Sequence, residues 1–301
     1  MLGTTGTGVF FGLVAALFLA GWIVLMQRGL ERGGGARLAI FTMSVSFLGL
    51  TVPWLLWEHW RAVLPPLTPL ALFWFLAAGM ATTGVGPVFI AAATRRIGAA
   101  RTASIRLLDA FFAFAIGALF LGERLSGRAM VGVALIIGAL ALLQMDRPTS
   151  GTAATGTGLG SGVAFAVTAS FIYAAGSILR KAALLLLPSA AMGGAGEGVA
   201  GILVTLPVLA LAREGEGLGS AFQRRYLDFW LSGICAAIGA VSLNVAMEHL
   251  AVPVAVALRN TSPWFALILV PLLLGRQQRP GPWTWVSTGV LTAGMLFIVL
   301  R

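Results

Sequence analysis

The stretch Thr155-Gly156-Thr157-Gly158-Leu159-Gly160-Ser161-Gly162 repeats the pattern of Thr5-Gly6-Thr7-Gly8-Val9-Phe10-Phe11-Gly12 at an offset of 150 residues. Each copy opens a long apolar block. Each also carries a G-x-x-x-G pair, Gly8/Gly12 and Gly158/Gly162, a spacing that lets two helix backbones approach closely. Further matches follow in chain order. Thr51-Val52-Pro53 pairs with Thr205-Leu206-Pro207, and Gly79 with Gly233, at an offset of 154. Arg106 pairs with Arg259, and Leu121-Gly122 with Leu274-Gly275, at 153. One match would mean little among 39 glycines, but a run in order at nearly one offset indicates a duplicated unit.

Apolar blocks lie near 8–26, 38–57, 70–93, 98–121 and 129–144, and again near 158–179, 189–212, 228–247, 251–274 and 283–300. A helix needs ~20 apolar residues to cross a ~30 Å hydrocarbon core. The pattern therefore predicts an all-α, polytopic membrane protein with ten transmembrane helices. The expected units are a first five-helix repeat over 1–146, a Gly/Thr-rich linker over 147–157 and a second repeat over 158–301. An odd number of spans per copy turns the second copy upside down in the bilayer. Two inverted five-helix repeats around a central cavity is the plan of many secondary transporters, whose substrate site lies near the midplane between the halves.

Composition points the same way. Of the 301 residues 58% are apolar and 10% charged, and mean hydropathy is +0.95. A soluble domain carries roughly 25% charged residues, so a soluble enzyme is excluded, and no polar stretch is long enough to form an attached ATPase. A formal charge of +10 would suggest nucleic acid in a soluble chain. Here the arginines fall mostly in short connections, as orientation signals and contacts with anionic lipid, and no nucleic-acid partner is expected. The lone Cys235 excludes intramolecular disulfides. The block after Met1–Thr7 lacks a basic leader and is as long as a span, so it reads as a retained first helix. Connections after spans 1, 3, 5, 7 and 9 hold 12 basic residues against 6 on the other side. By the positive-inside rule that places both termini outside.

The most specific text is Leu121-Gly122-Glu123-Arg124-Leu125, followed by Gly132-Val133-Ala134-Leu135-Ile136-Ile137-Gly138. It resembles the end of an EamA domain of the drug/metabolite transporter superfamily, where a helix ending in L-G-E-R-L precedes one carrying G-x-x-L-I-x-x-G. That family also has ten spans as two tandem five-span domains, so the resemblance covers essentially the whole chain. It implies a membrane carrier, often an exporter of amino acids or other small metabolites, with both termini cytoplasmic, opposite to the arginine bias. The chain departs from the pattern in places. The proline eleven residues before the L-G-E leucine is kept as Pro263 but is Ala110 in the first half, and Arg276 replaces the glutamate in the second. The Trp-Gly-Ser-Asn signature is not recognisable around Leu19–Trp22. No particular substrate carries over.

Ionisable groups inside spans cost about 2.5–3.5 kcal/mol each at mid-helix on insertion scales, and are functional candidates for that reason. Arg106 and Asp109 stand at i,i+3 on one helix face. At 1.5 Å per residue Asp109 lies roughly 16 Å into a span starting near Gly98, close to the midplane. Arg106 would hold a carboxylate or phosphate and Asp109 an amine or a coupling proton; alternatively the two form an internal salt bridge that orders the bundle. Arg259, the repeat mate of Arg106, would approach it across the pseudo-two-fold axis and be repelled unless an anion or Asp109 sits between them. Otherwise it snorkels to the interface. Glu197 lies in Gly193-Gly194-Ala195-Gly196-Glu197-Gly198, whose glycines predict a loosened or broken helix lining a cavity, and it is a second coupling candidate. Trp22 and Tyr173 are deep enough to stack on a substrate, and Asn244 is a weaker binding candidate; plain packing would account for all three.

Enzyme motifs are missing: no H-E-x-x-H, G-x-S-x-G or P-loop occurs, and His59 and His249 are the only histidines. No cofactor or metal is expected. The expected protein is a secondary transporter exporting amino acids or related small metabolites by alternating access, in the bacterial inner membrane. Its partners would be the substrate, lipids and protons, and its cavity would be lined mainly by spans 3, 4, 8 and 9 with parts of 1 and 6. Opposed charges suit a zwitterion, whereas two arginines also suit an organic anion or phosphate ester. A membrane-embedded enzyme or a non-transporting scaffold are the readings from other classes. The missing nucleophile and metal sets oppose the first, and the charges inside the spans oppose the second.

Overall fold

A computed structural model of the chain describes residues 4–60, 68–109, 157–187, 189–210, 222–249, 258–275 and 280–299, with scattered positions between 111 and 145. The regular structure described is all helical. Helices α1 (Thr4–Glu31) and α2 (Ala36–Trp60) precede α3 (Pro69–Gly79), a π-helical turn (Met80–Val85) and α4 (Gly86–Ile105). Then come α5 (Thr157–Leu186), α6 (Ala190–Ala210), a 3-10 turn (Arg224–Tyr226), α7 (Leu227–His249), α8 (Ser262–Leu273) and α9 (Pro282–Val299). Among the described residues six stretches are long and apolar enough to cross a membrane, with α3 through α4 counting as one. Ten are expected from the sequence; the last third of the fourth and most of the fifth lie outside the described residues, and α8 covers only part of the ninth.

The α3–α4 rod changes course twice, each time for a local reason. Pro87 has no N–H to give the carbonyl of Thr83, and its ring crowds that carbonyl. The preceding turn widens to the π form over Met80–Val85. Further on, Gly98 adopts φ 80° and ψ 162°, outside helical space and open in practice only to glycine. This is where the sequence places the division between spans 3 and 4. The segment after the break is capped from outside, because Ala99 N donates to Gln27 Oε1 at 2.6 Å.

The main interfaces join one half of the chain to the other. The most extensive pairs α1 with α7; α2 packs on α6, and α3 and α4 pack on α5. One glycine of each pair found in the sequence lies at a close contact between the halves. A Cβ at Gly12 would lie 2.8 Å from Leu258, and one at Gly162 only 2.5 Å from Ile97. Three of the four glycines around Glu197, Gly194, Gly196 and Gly198, have the same use, which corrects the expectation of a broken helix. Helix α6 runs continuously from Ala190 to Ala210. Its glycines admit neighbours instead: a Cβ at Gly194 would come within 2.4 Å of Thr51, and one at Gly198 within 2.7 Å of Leu48.

One end of the bundle is held together by ion pairs and a buried ring. Asp228, in the first turn of α7 and buried, pairs with Arg32, and Arg28 Nε lies 3.9 Å from its other oxygen. Beside it the fully buried Phe229 ring nests on Gly29 and Gly34. Arg95 ties the same loop by donating to Gly34 O.

Packing this tight is directly testable. A Cβ at Gly79 would sit 2.8 Å from Gly196 O and 2.9 Å from Glu197 Cα, backbone atoms that cannot step aside. Gly79→Ala should destabilise the protein by about 1–3 kcal/mol, as overpacking does. Gly49→Ala, at an exposed helical position with nothing within 4 Å, should be neutral or gain up to ~1 kcal/mol. Thermal unfolding in detergent, followed by tryptophan fluorescence, separates the two.

Candidate functional site

Both repeat-related arginines stand where a helix loses its regular bonding. Helix α4 ends at Ile105, and the chain continues through 3-10-type bonds from Leu107 N to Ser104 O and from Asp109 N to Arg106 O. The carbonyl of Ile105 thereby loses its i+4 donor, and Ser170 Oγ of α5 donates to it at 3.3 Å. In the second half Thr261 N donates to Leu258 O, and Trp264 N to Thr261 O, again with i−3 spacing. Pro263 lacks the N–H that would otherwise reach Arg259 O. Two interruptions at matching positions turn Arg106, Asp109, Arg259 and Asn260 toward one another.

Asp109 stands between the two arginines. Its Oδ2 accepts from Arg259 Nη2 at 2.6 Å and lies 3.9 Å from Arg106 Nη2. Arg259 is braced further by Asn260 Oδ1, which accepts from its Nε at 3.2 Å and its Nη2 at 2.9 Å. Arg106 rests its guanidinium 4.0 Å from the Tyr173 ring centre and 5.4 Å from that of Trp22, an arrangement worth about 2 kcal/mol when desolvated. Tyr173 can reach this position because Gly86 has no side chain: a Cβ there would sit 2.7 Å from the phenol ring. Among the described residues Arg106 Nε, Asp109 Oδ1 and Asn260 Nδ2 are buried without a hydrogen-bond partner.

A second ion pair, absent from the sequence reading, joins Arg180 of α5 to Glu197 of α6. The π turn serves it with two hydroxyls. Thr83 Oγ1 donates to Glu197 Oε2 at 3.4 Å, and Arg180 Nη2 donates to Thr82 Oγ1 at 3.5 Å. Arg180 is assigned to a loop when the sixth span is drawn to end at 179. The helix in fact runs to Leu186, which carries Arg180 nearly two turns inside. The signal that would have found it is Glu197 itself, since a carboxylate buried among apolar helices requires a cation.

These groups line two adjoining cavities that share Leu19, Arg106 and Arg259. The smaller, about 20 Å³, holds Asp109 and Asn260 in its wall. The larger, about 60 Å³, is walled by Trp22, Tyr173, Met43 and Phe47 and by Arg180, Glu197, Thr82 and Thr83. One water needs ~10–15 Å³, so this conformation has room for a few waters only. Spans 2 and 7 contribute alongside those expected, because Met43, Phe47 and Glu197 face the same space. Asn244 lines neither cavity: its Nδ2 donates at 3.4 Å to Ala190 O, at the start of α6. The described lining carries three guanidiniums (Arg106, Arg180, Arg259) against two carboxylates (Asp109, Glu197), a formal charge of +1.

The Arg180–Glu197 pair makes a sharp stability prediction. Glu197→Ala strands a buried guanidinium and should cost about 3–5 kcal/mol, whereas the double variant Arg180→Met/Glu197→Leu strands nothing and should be close to wild type. Melting temperatures of both in detergent give the comparison.

Comparison with known proteins now gives this geometry a context. The EamA-like transporter family matches at residues 6–145 and again at 160–300. No curated protein matches the chain. Fifteen solved chains do. One of them, a crystal structure of a protein 15% identical to this chain, superposes with a TM-score of 0.63 over 96% of this chain and 94% of its own. That likeness concerns the fold. The family match extends over nearly the whole sequence in two copies, and its members are transporters, not enzymes. The chain belongs to the EamA-like transporter family of the drug/metabolite transporter superfamily, and is a multi-pass integral membrane transporter.

Proposed function

We propose that the protein is a secondary transporter of amino acids and related small zwitterions, working by alternating access in the bacterial inner membrane. The observation that carries this reading is the set of unpartnered atoms around the smaller cavity. Arg106 Nε and Asn260 Nδ2 are donors, and Asp109 Oδ1 is an acceptor. An unsatisfied buried polar group costs about 1–3 kcal/mol. A carboxylate would satisfy both donors and an ammonium the acceptor, so one α-amino acid head group answers all three. An organic anion or phosphate ester would leave Asp109 Oδ1 unmet.

The fold proposed for this work has ten helices as two inverted five-helix repeats, 1–146 and 158–301, joined by 147–157. Its support is the paired way the halves touch. Gly12 of the first span meets Leu258, next to Arg259, and Ser170 of the sixth donates to Ile105 O, next to Arg106, so each copy's opening helix packs beside the other copy's arginine-bearing segment. The positive-inside rule puts the arginine-rich end, with Arg28, Arg32 and Arg95, at the cytoplasmic face. Export follows from competition at Asp109. A proton and a substrate ammonium that share one carboxylate exclude each other, the relation that antiport against an inward proton gradient requires. Glu197 is the other carboxylate placed to take a proton.

Counterflow in liposomes tests this. Purified protein should exchange labelled amino acids, and Arg106→Ala, Asp109→Asn and Arg259→Ala should each slow exchange by roughly 10- to 100-fold, the worth of a charge-assisted hydrogen bond. Asp109→Asn should also lose acceleration by a pH gradient. Undiminished flux in all three variants would remove the site. Exchange confined to amine-free anions would remove the zwitterion reading.

A further inference from the structure

We infer that the substrate is an acidic amino acid, a zwitterion bearing a second carboxylate that Arg180 receives. The inference rests on the zwitterion reading above and deepens it. Three independent observations converge on the same chemistry.

The first is continuity. The two cavities share Leu19, Arg106 and Arg259, so a head group held at Arg106 and Asp109 leaves its side chain directed along the larger cavity. That cavity has aromatic and apolar walls and one polar cluster, made by Arg180, Glu197, Thr82 and Thr83. Tyr173, which stacks on Arg106, and Arg180 are seven residues apart on α5, roughly 10 Å along the axis. The long arginine side chain shortens that gap to one a few carbons can bridge.

The second is an open valence on Arg180. Its Nη2 is engaged by Glu197 and reaches Thr82, but its Nε is buried and has no partner among the described residues. Arg180 can therefore accept a second carboxylate without releasing the first, as a forked guanidinium does. The third is charge. The lining carries +1, from three guanidiniums and two carboxylates. A neutral zwitterion leaves that charge in place within the membrane and a basic amino acid doubles it, while a substrate of net charge −1 cancels it. Cancelling a charge at that depth is strongly favoured.

The experiment is a selectivity ratio measured on the full-length protein in liposomes. Labelled glutamate is exchanged against glutamate, its isosteric amide glutamine, and succinate, which has two carboxylates and no amine. Wild type should exchange glutamate roughly 10- to 100-fold faster than glutamine, the discrimination one charge-assisted hydrogen bond supplies. In Arg180→Gln/Glu197→Gln, which strands no charge, the ratio should fall toward one whatever happens to the absolute rates. Equal exchange of glutamate and glutamine by wild type would overturn the inference and leave the amino-acid reading standing. A double variant that keeps the wild-type ratio would overturn it as well. Exchange of succinate alone would overturn the amino-acid reading itself. If the double variant does not fold, as judged by gel filtration and melting, the wild-type ratio decides alone.

Discussion

One carboxylate between two guanidiniums organises the centre of this protein. Arg106 and Arg259 occupy matching places in the two copies of the chain, and without an anion between them they would repel in a medium that screens poorly. Asp109 fills that place, in direct hydrogen bond with Arg259 and 3.9 Å from Arg106. Only the first copy supplies the acid: the position three residues beyond Arg259 is Ser262. A duplicated unit thus became a site by breaking its own symmetry. The remaining features follow from that arrangement. The 3-10 turns deliver the side chains, Ser170 takes up the carbonyl the turn releases, and Tyr173 and Trp22 cover the guanidinium left with the weaker partner.

That division of labour leaves the two arginines unequal. Arg259 is held by Asp109 and by Asn260, so its charge is largely answered from within. Arg106 has the distant oxygen of Asp109 and two aromatic faces, which stabilise a cation without neutralising it. A second pair at Arg180 and Glu197 adds no net charge, although Arg180 Nε is left without a partner among the described residues. The unanswered positive charge of the cavity therefore resides chiefly on Arg106, beside the groups that still lack partners.

Much of this was legible in the sequence because charge is conspicuous among apolar residues. Arg106, Asp109 and Arg259 stood out from their blocks, and the duplication related two of them. What escaped did so for physical reasons. Arg180 and Lys181 interrupt an apolar run that resumes at Ala182–Leu186 in the same helix, so a hydropathy boundary drawn at the charges falls short of the helix boundary. Thr82 returns its own hydroxyl to Ala78 O in the same helix, so it looks as inert as any threonine in a membrane helix; only Pro87 hinted at the π turn that presents it. The glycines near Glu197 misled because flexibility and close packing call for the same residue. Deciding between them requires knowing what stands opposite, and Thr51 and Leu48 are far away in sequence.

The distribution of ion pairs also constrains how the proposed cycle can move. The arginines paired with Asp228 are partly exposed: Arg28 and Arg32 keep 39% and 43% of their side-chain surface open, against 16% for Arg106 and 14% for Arg259. The exposed guanidiniums of Arg28 and Arg32 can trade Asp228 for water more readily than the buried central arginines can trade Asp109. Alternation should therefore part the ends while the centre stays closed on its charges. The main interfaces suit this, since they run between the halves and are built on glycine contacts over which helices can tilt. Phe229, seated on Gly29 and Gly34 next to Asp228, is then among the contacts that such a tilt would loosen. In the proposed cycle the central carboxylate is the point about which the halves would turn.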